Sequence, residues 1–176
     1  NSRVFSTILT WMQEKTKPVF VVATANDISQ LPPEFLRKGR FDEIFFVDLP
    51  TKEERKEILR IHLTKNNQTG IHELDGLADA TQLFNGAEIE EAVKESMFLA
   101  YVDNPTNPVV NVRHLEIACS QIIPLAKTMS EKIRGLRGWA DDRARRASRI
   151  ANKELLPEVQ AGIKKTKREK DEDTFG

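Results

Sequence analysis

Three side chains on one short stretch have types and spacing suited to phosphate chemistry. Asn26 follows an apolar run, and Arg37 and Arg40 flank Gly39 a little further on. A carboxamide at the tip of a strand can donate to an anionic oxygen or orient a water. A guanidinium is always charged, and its planar fork suits phosphate oxygens. Two of them on one loop can stabilise charge that develops on a transferred phosphoryl group. Each residue also has a plainer reading. Asn26 alone reads as a turn residue that tolerates left-handed geometry, and a random arginine pair reads as solvated surface. Gly39 between the arginines and Phe41-Asp42 after them make the loop look constrained.

The remaining candidates are weaker. His62 lies on the inward side of a helical pattern, where a packed histidine with one satisfied hydrogen bond is the ordinary reading. His72 and His114 stand apart without ligand spacing, so no metal site is expected. The single cysteine, Cys119, excludes an internal disulfide framework and a cysteine-based zinc site.

The elements that must position these residues start with helical spacing over residues 3–15, where Val4, Phe5, Ile8, Leu9 and Met12 share a face that Trp11 widens. Lys17-Pro18 ends it, because proline disfavours helix at the preceding residue. Val19–Ala23 is continuous, apolar and β-branched, which predicts a strand buried on both faces of a parallel sheet. Ligand-facing residues sit just past the carboxyl ends of such strands, where Thr24 and Asn26 stand. The run 42–49 reads as a second strand. Thr51 and Glu54 then form a capping box for a helix to about Lys65, with Ile58, Leu59, Ile61 and His62 inward. The rest reads as helical: a short helix over about 73–81, one capped by Asn85 with Glu88 three residues on, and one capped by Asn111. A last, basic helix is expected behind a Thr128–Glu131 box. Two strands cannot make a covered sheet alone, and the chain opens at Asn1 inside a helical pattern. It is therefore expected to be the later part of a longer protein.

Composition narrows the function classes. The 176 residues carry 27 Lys plus Arg against 27 Asp plus Glu. That balance argues against a whole-surface nucleic-acid binder. No apolar run approaches membrane-spanning length, and nothing resembles a leader. A soluble protein of a reducing compartment is the expectation, with no membrane partner. Between Lys127 and Lys153 there are nine Lys or Arg against three Asp or Glu. Trp139 among arginines could serve an acidic partner, but Asp141–Arg145 and Asp142–Arg146 pairs at i,i+4 make a solvated helix the simpler reading. Residues 164–173 are nearly all charge and read as a disordered tail.

Taken in order, these pieces resemble the AAA+ ATPase family, in its classic AAA branch. VVATAND resembles the strand-plus-asparagine sensor 1. LPPEFLRKGRFDEIFFVDLP resembles the second region of homology, with its constrained R-x-G-R-F-D. KEILRIHL and NGAEIEEAV resemble the helical lid. The resemblance covers about residues 1–122. The segment PLAKTMSEKIRGLRGWADDRARRAS is further similar to AAA proteins encoded by a conserved reading frame of cyanobacteria and algal chloroplasts.

The resemblance implies an α/β fold: the C-terminal part of a P-loop AAA+ parallel sheet with two strands present, then an all-helical lid and a helical extension. The implied divisions are 1–50 for a partial α/β subdomain, 51–124 for the lid, 125–163 for a basic extension and 164–176 for the tail. Asn26 would sense the γ-phosphate and help place the attacking water. Arg37 and Arg40 would be arginine fingers that reach the neighbouring subunit's active site. His62 and the helix start at Gly86-Ala87 would flank the adenosine. Ala87 stands where other AAA+ branches carry a sensor-2 arginine, and Lys38 replaces a proline often seen in the finger loop. ATP and Mg2+ are the implied cofactors, and a homo-oligomeric ring, a hexamer, is the implied assembly, acting on a protein substrate in the cytoplasm or the chloroplast stroma. No G-x-x-x-x-G-K-[ST] phosphate loop occurs in the sequence. The Mg2+ ligands and that loop are expected upstream, its strand lying between the two present here, and these residues alone are expected to be inactive. The alternative is a non-catalytic helical scaffold for protein or nucleic acid, with vestigial ATPase elements. A clamp-loader-like DNA enzyme fits the finger loop less well.

Overall fold

A computed structural model of the chain describes residues 2–37, 39–148 and 156. The chain divides into two compact units, Asn1–Asp48 with Gly138–Arg149, and Leu49–Arg137 with Ile150–Gly176. The expected charged tail, and most of the expected extension beyond Ser148, lie outside the described residues.

In the first unit, helix α1 (Ser2–Glu14) half-buries Phe5, Leu9 and Met12. Val4 and Ile8, expected on the same inward face, are exposed together with Trp11. The largest departure from the sequence reading is Val19–Ala23, which forms no strand among the described residues. Phe20 is 93% exposed and Val22 76%. The reason is that β-branched composition expresses only a fit to a pleated, half-buried surface. A strand forms when a neighbour accepts its backbone groups.

The expected strand over 42–49 contracts to β1 (Phe45–Phe46), and its partner comes from the far end of the sequence. Strand β2 (Arg145–Arg146) lies parallel to it, with Phe45 opposite Arg145 and Phe46 opposite Arg146. The Arg145 amide donates to the Ile44 carbonyl and the Ala147 amide to the Phe46 carbonyl, both at 2.9 Å. The slanted bonds from alternate residues are those of a parallel ladder. The i,i+4 pairs expected of a continuing helix are therefore replaced. Helix α7 (Ser130–Arg143) stops before Arg145, so Arg145 turns to Glu43 at 3.3 Å and Arg146 to Asp141 at 2.8 Å.

The second unit is helical, and its helices begin where the cap residues dictate. Helix α2 (Lys52–Lys65) starts at a complete capping box: Glu54 N–H donates to Thr51 Oγ1, and Thr51 N–H donates to Glu54 Oε2 at 2.8 Å. Helices α3 (Asp75–Ala80), α4 (Gly86–Asp103) and α5 (Val112–Gln121) follow. Leu59 and Leu63 on α2, Ile89, Val93 and Ala100 on α4, and Leu115 on α5 form one core with Leu74, Leu77, Phe84 and Val110. Each large side chain so buried contributes about 1.5–3 kcal/mol. Where α4 and α5 meet, Ala92, Ala118 and Cys119 form a cluster of small residues. Burial pushes the Cys119 thiol up to about 11, because a thiolate there would lose its water.

Two details correct the sequence reading. Ile61 faces out at 52% exposure, and the buried α2 face is Arg55, Leu59 and Leu63. Thr128 does not cap the basic helix, because it ends α6 (Leu125–Thr128) and its hydroxyl donates to the Leu125 carbonyl.

Candidate functional site

Asn26 belongs to the first unit and sits at a bend that follows Val19–Ala23. The bend is an Asx turn: Asp27 Oδ1 accepts from the Ser29 amide at 3.0 Å and from its hydroxyl at 2.6 Å, which starts a 3-10 turn at Ile28. Asp27 therefore holds the backbone, and the neighbouring Asn26 side chain is exposed.

The arginine loop is built more firmly. Pro33 opens a second 3-10 turn, Pro33–Leu36, whose Phe35 is buried. The Phe35 ring meets Phe5 of α1 edge-on at 5.2 Å and stacks with Phe41 at 6.2 Å. Such aromatic pairs contribute about 0.5–1.5 kcal/mol beyond their burial. Phe35 precedes the arginines and Phe41 follows them, so both ends of the loop are anchored. Between the anchors, the Arg40 amide donates to the Arg37 carbonyl at 3.3 Å, closing a four-residue turn. Gly39 has φ +90° at the third position, as a type II turn requires. Arg37 is exposed and Arg40 half-buried. Lys38 lies outside the described residues.

This geometry makes a clean prediction at Gly39. A Cβ there would meet nothing within 4 Å, so Gly39→Ala costs backbone strain alone, about 1–2 kcal/mol. The turn opens rather than the unit unfolding. The Arg40 amide is expected to exchange faster with solvent, with the thermal midpoint little changed. A midpoint that drops steeply would show that the turn holds the fold and not the arginines.

The other candidates, His62, Gly86 and Ala87, belong to the second unit. His62 is half-buried on α2, and its Nδ1 is buried without a hydrogen-bond partner. Its backbone carbonyl is engaged, accepting from Asn66 Nδ2 at 2.8 Å. Gly86 and Ala87 open α4. Asn85 Oδ1 accepts the Glu88 amide at 2.9 Å and Glu88 Oε2 accepts the Asn85 amide at 2.8 Å. The box leaves the Gly86 and Ala87 amides at the positive end of the helix dipole. Gly86 has open space where a side chain would project. Further along α4, the Lys94 ammonium bonded to Glu90 holds that carboxyl below its usual range, and His62 and Lys65 add to the effect.

Several residues near these candidates were invisible to sequence reasoning. Glu88 Oε1 also accepts the Leu125 amide at 2.7 Å, so one carboxylate serves α4 and the start of α6. Leu83 adopts φ +67°, unusual for leucine, just before the cap of α4. Arg55 is fully buried. The heptad-like position of Arg55 beside Leu59 was the one available signal, since an arginine in line with a core face must bring its partners with it. His114 is also buried: the Asn111 amide donates to its Nδ1 at 3.3 Å, which places the ring proton on Nε2, facing Asp103 at 2.9 Å.

Residues 1–49 match the model of the ATPase family associated with various cellular activities, AAA. The chain is similar to the uncharacterized AAA domain-containing protein ycf46 of Pyropia yezoensis, 49% identical over 154 residues, covering 84% of this chain and 30% of that protein. It is 36% identical over 132 residues to the cell division control protein 48 homolog B of Arabidopsis thaliana, covering 73% of this chain and 22% of that protein. It is 43% identical over 82 residues to the proteasome-activating nucleotidase of Sulfurisphaera tokodaii, covering 47% and 21%. The chain thus spans about 30% of the length of the curated ycf46 relatives it matches. No helix among the described residues is long and apolar enough to cross a membrane.

Proposed function

We propose, from the chain's membership of the AAA family of ATPases, that it is the C-terminal portion of an enzyme that hydrolyses ATP with Mg2+ and remodels a protein partner as a homohexameric ring. In this reading Asn26 senses the γ-phosphate of its own subunit's nucleotide and helps hold the attacking water. Arg37 and Arg40 reach the nucleotide of the neighbouring subunit. His62, Gly86 and Ala87 flank the adenosine.

The observation that carries the reading is the finger turn, in which Gly39 at φ +90° is held between the Phe35 and Phe41 anchors. A solvated arginine pair has no need of such a mount. The nucleotide is compatible with the second unit too. His62 Nδ1 is a buried polar atom without a partner, and Gly86 leaves room for close approach. The phosphate loop and the Mg2+ ligands would come from sequence outside these residues, and bound Mg2+ would neutralise charge on the phosphates. The lid in this reading is 51–124, and the cytoplasm or a chloroplast stroma is the compartment.

The test compares two samples. Full-length protein is expected to show Mg2+-dependent ATP turnover, and residues 1–176 alone none. Turnover by residues 1–176 would sink the divided-site reading. No turnover by the full-length protein would favour the scaffold.

A further inference from the structure

We infer that Glu88 is a positioning residue that clasps the start of α4 to the start of α6, so that a nucleoside diphosphate held at Gly86 and Ala87 also tightens the chain at Leu125. The inference rests on the reading of Gly86 and Ala87 as flanking the adenosine. It adds to that reading a segment, outside the nucleotide contacts, that responds to the nucleotide.

The residues concerned all lie in the second unit. Glu88 gives its two carboxylate oxygens to different partners. Oε2 accepts the Asn85 amide at 2.8 Å and closes the box that starts α4. Oε1 accepts the Leu125 amide, 37 residues later, at 2.7 Å. A capping box needs only the first of these bonds. The second is charge-assisted, and its length is that of the stronger hydrogen bonds. Gly86 and Ala87 lie between Asn85 and Glu88, so the carboxylate that fixes their backbone also holds α6.

A second contact lies on the other side of the cap. Leu83 adopts φ +67°, where its Cβ crowds the following carbonyl. Such a conformation persists only where the surroundings over-determine it. Here the Leu83 side chain is buried in the cluster that contains Ala126 and Leu156. Leu83 and Glu88 therefore bracket Gly86-Ala87, and both engage the first turn of α6, one by packing and one by a hydrogen bond.

The functional consequence is thermodynamic. A ligand that prefers the fixed form of residues 85–88 to the loosened form shifts the chain toward the fixed form. The Leu125 bond favours the same form. Each then strengthens the other by the same factor.

The experiment uses the full-length protein, ADP as the probe, and two variants that open the clasp from opposite ends. In Glu88→Gln the one carbonyl oxygen keeps the Asn85 amide, since glutamine serves in such boxes. The side-chain NH2 then meets the Leu125 N–H as donor against donor. Leu125→Pro removes that N–H and leaves Glu88 and its box alone. Proline is favoured at the first position of a helix, and Pro124, at φ −57° and ψ 131°, already has the backbone that a following proline requires. Without nucleotide, the Leu125 amide is expected to exchange about tenfold more slowly in the wild type than in Glu88→Gln, with the Asn85 amide alike in both. ADP is expected to slow Leu125 exchange about fivefold further in the wild type, and both variants should bind ADP weaker by the same factor. Equal Leu125 exchange in the wild type and Glu88→Gln would overturn the clasp. A wild-type Leu125 amide indifferent to ADP would overturn the link to the nucleotide. So would weaker binding in Glu88→Gln alone, which would assign the effect to the lost charge. Absence of ADP binding by the wild type would refute the nucleotide reading itself, and the nucleotide-free exchange rates would still decide the clasp.

Discussion

Full-length protein carrying Arg37→Ala or Arg40→Ala is expected to lose ATP turnover by about 10³-fold or more while it still binds nucleotide. The split follows from where charge develops. In a loose phosphoryl-transfer transition state, negative charge spreads over oxygens that no longer belong fully to either side. A guanidinium aimed at them contributes more there than in the ground state, so its loss appears in kcat and not in affinity. The geometry supports a reach outward from the subunit. Arg37 is exposed at the end of a 3-10 turn, and the turn behind it is anchored by Phe35 and Phe41. Lysine should not rescue either position, because a point charge cannot reproduce the planar fork. The second readout is a mixed assembly. Arg37→Ala subunits combined with Asn26→Ala subunits, each inactive alone, should regain turnover, because the site of an Arg37 variant beside an Asn26 variant then has an intact Asn26 and an intact neighbouring arginine. No regained turnover would mean that the arginines act within their own subunit. Loss of nucleotide binding in the single variants would contradict the finger role.

The parts of this chain that could be read from sequence are those fixed within about four residues. The Thr51–Glu54 and Asn85–Glu88 boxes were visible because a cap and its partner lie three positions apart. The arginine turn was visible in part, since Gly39 between Arg37 and Arg40 marked a constrained loop, but its φ of +90° was not read. Features set by distant partners were not visible. Val19–Ala23 has the composition of a buried strand, but its ladder depends on a neighbour that composition cannot supply. Arg145–Arg146 has the composition of a solvated helix, yet it forms a strand because Ile44 and Phe46 present free carbonyls beside it. The anchors of the arginine loop were hidden as well. Phe5 and Phe35 stand 30 positions apart, and only packing brings their rings to 5.2 Å.

Arg55 gives the second large effect, on stability. Arg55→Ala is expected to lower the unfolding free energy of the protein by about 3–5 kcal/mol, as measured by urea denaturation. Two physical losses add up. The aliphatic stem leaves a void on the buried α2 face, where Arg55 is 1% exposed. The Pro50 and Ala78 carbonyls also each lose a charged donor, and a hydrogen bond to a charged group contributes about 1.5–3 kcal/mol. Arg55→Met separates the terms, because it keeps most of the stem and removes only the donors. It should therefore recover part of the loss and no more. Exposed neighbours provide the contrast. Lys52 bridges Asp79 at 2.7 Å on the same helix, but its side chain is 38% exposed. Water replaces that partner readily, so Lys52→Ala should leave the urea midpoint almost unchanged. If Arg55→Ala proved as mild as Lys52→Ala, the guanidinium would be dispensable to the second unit.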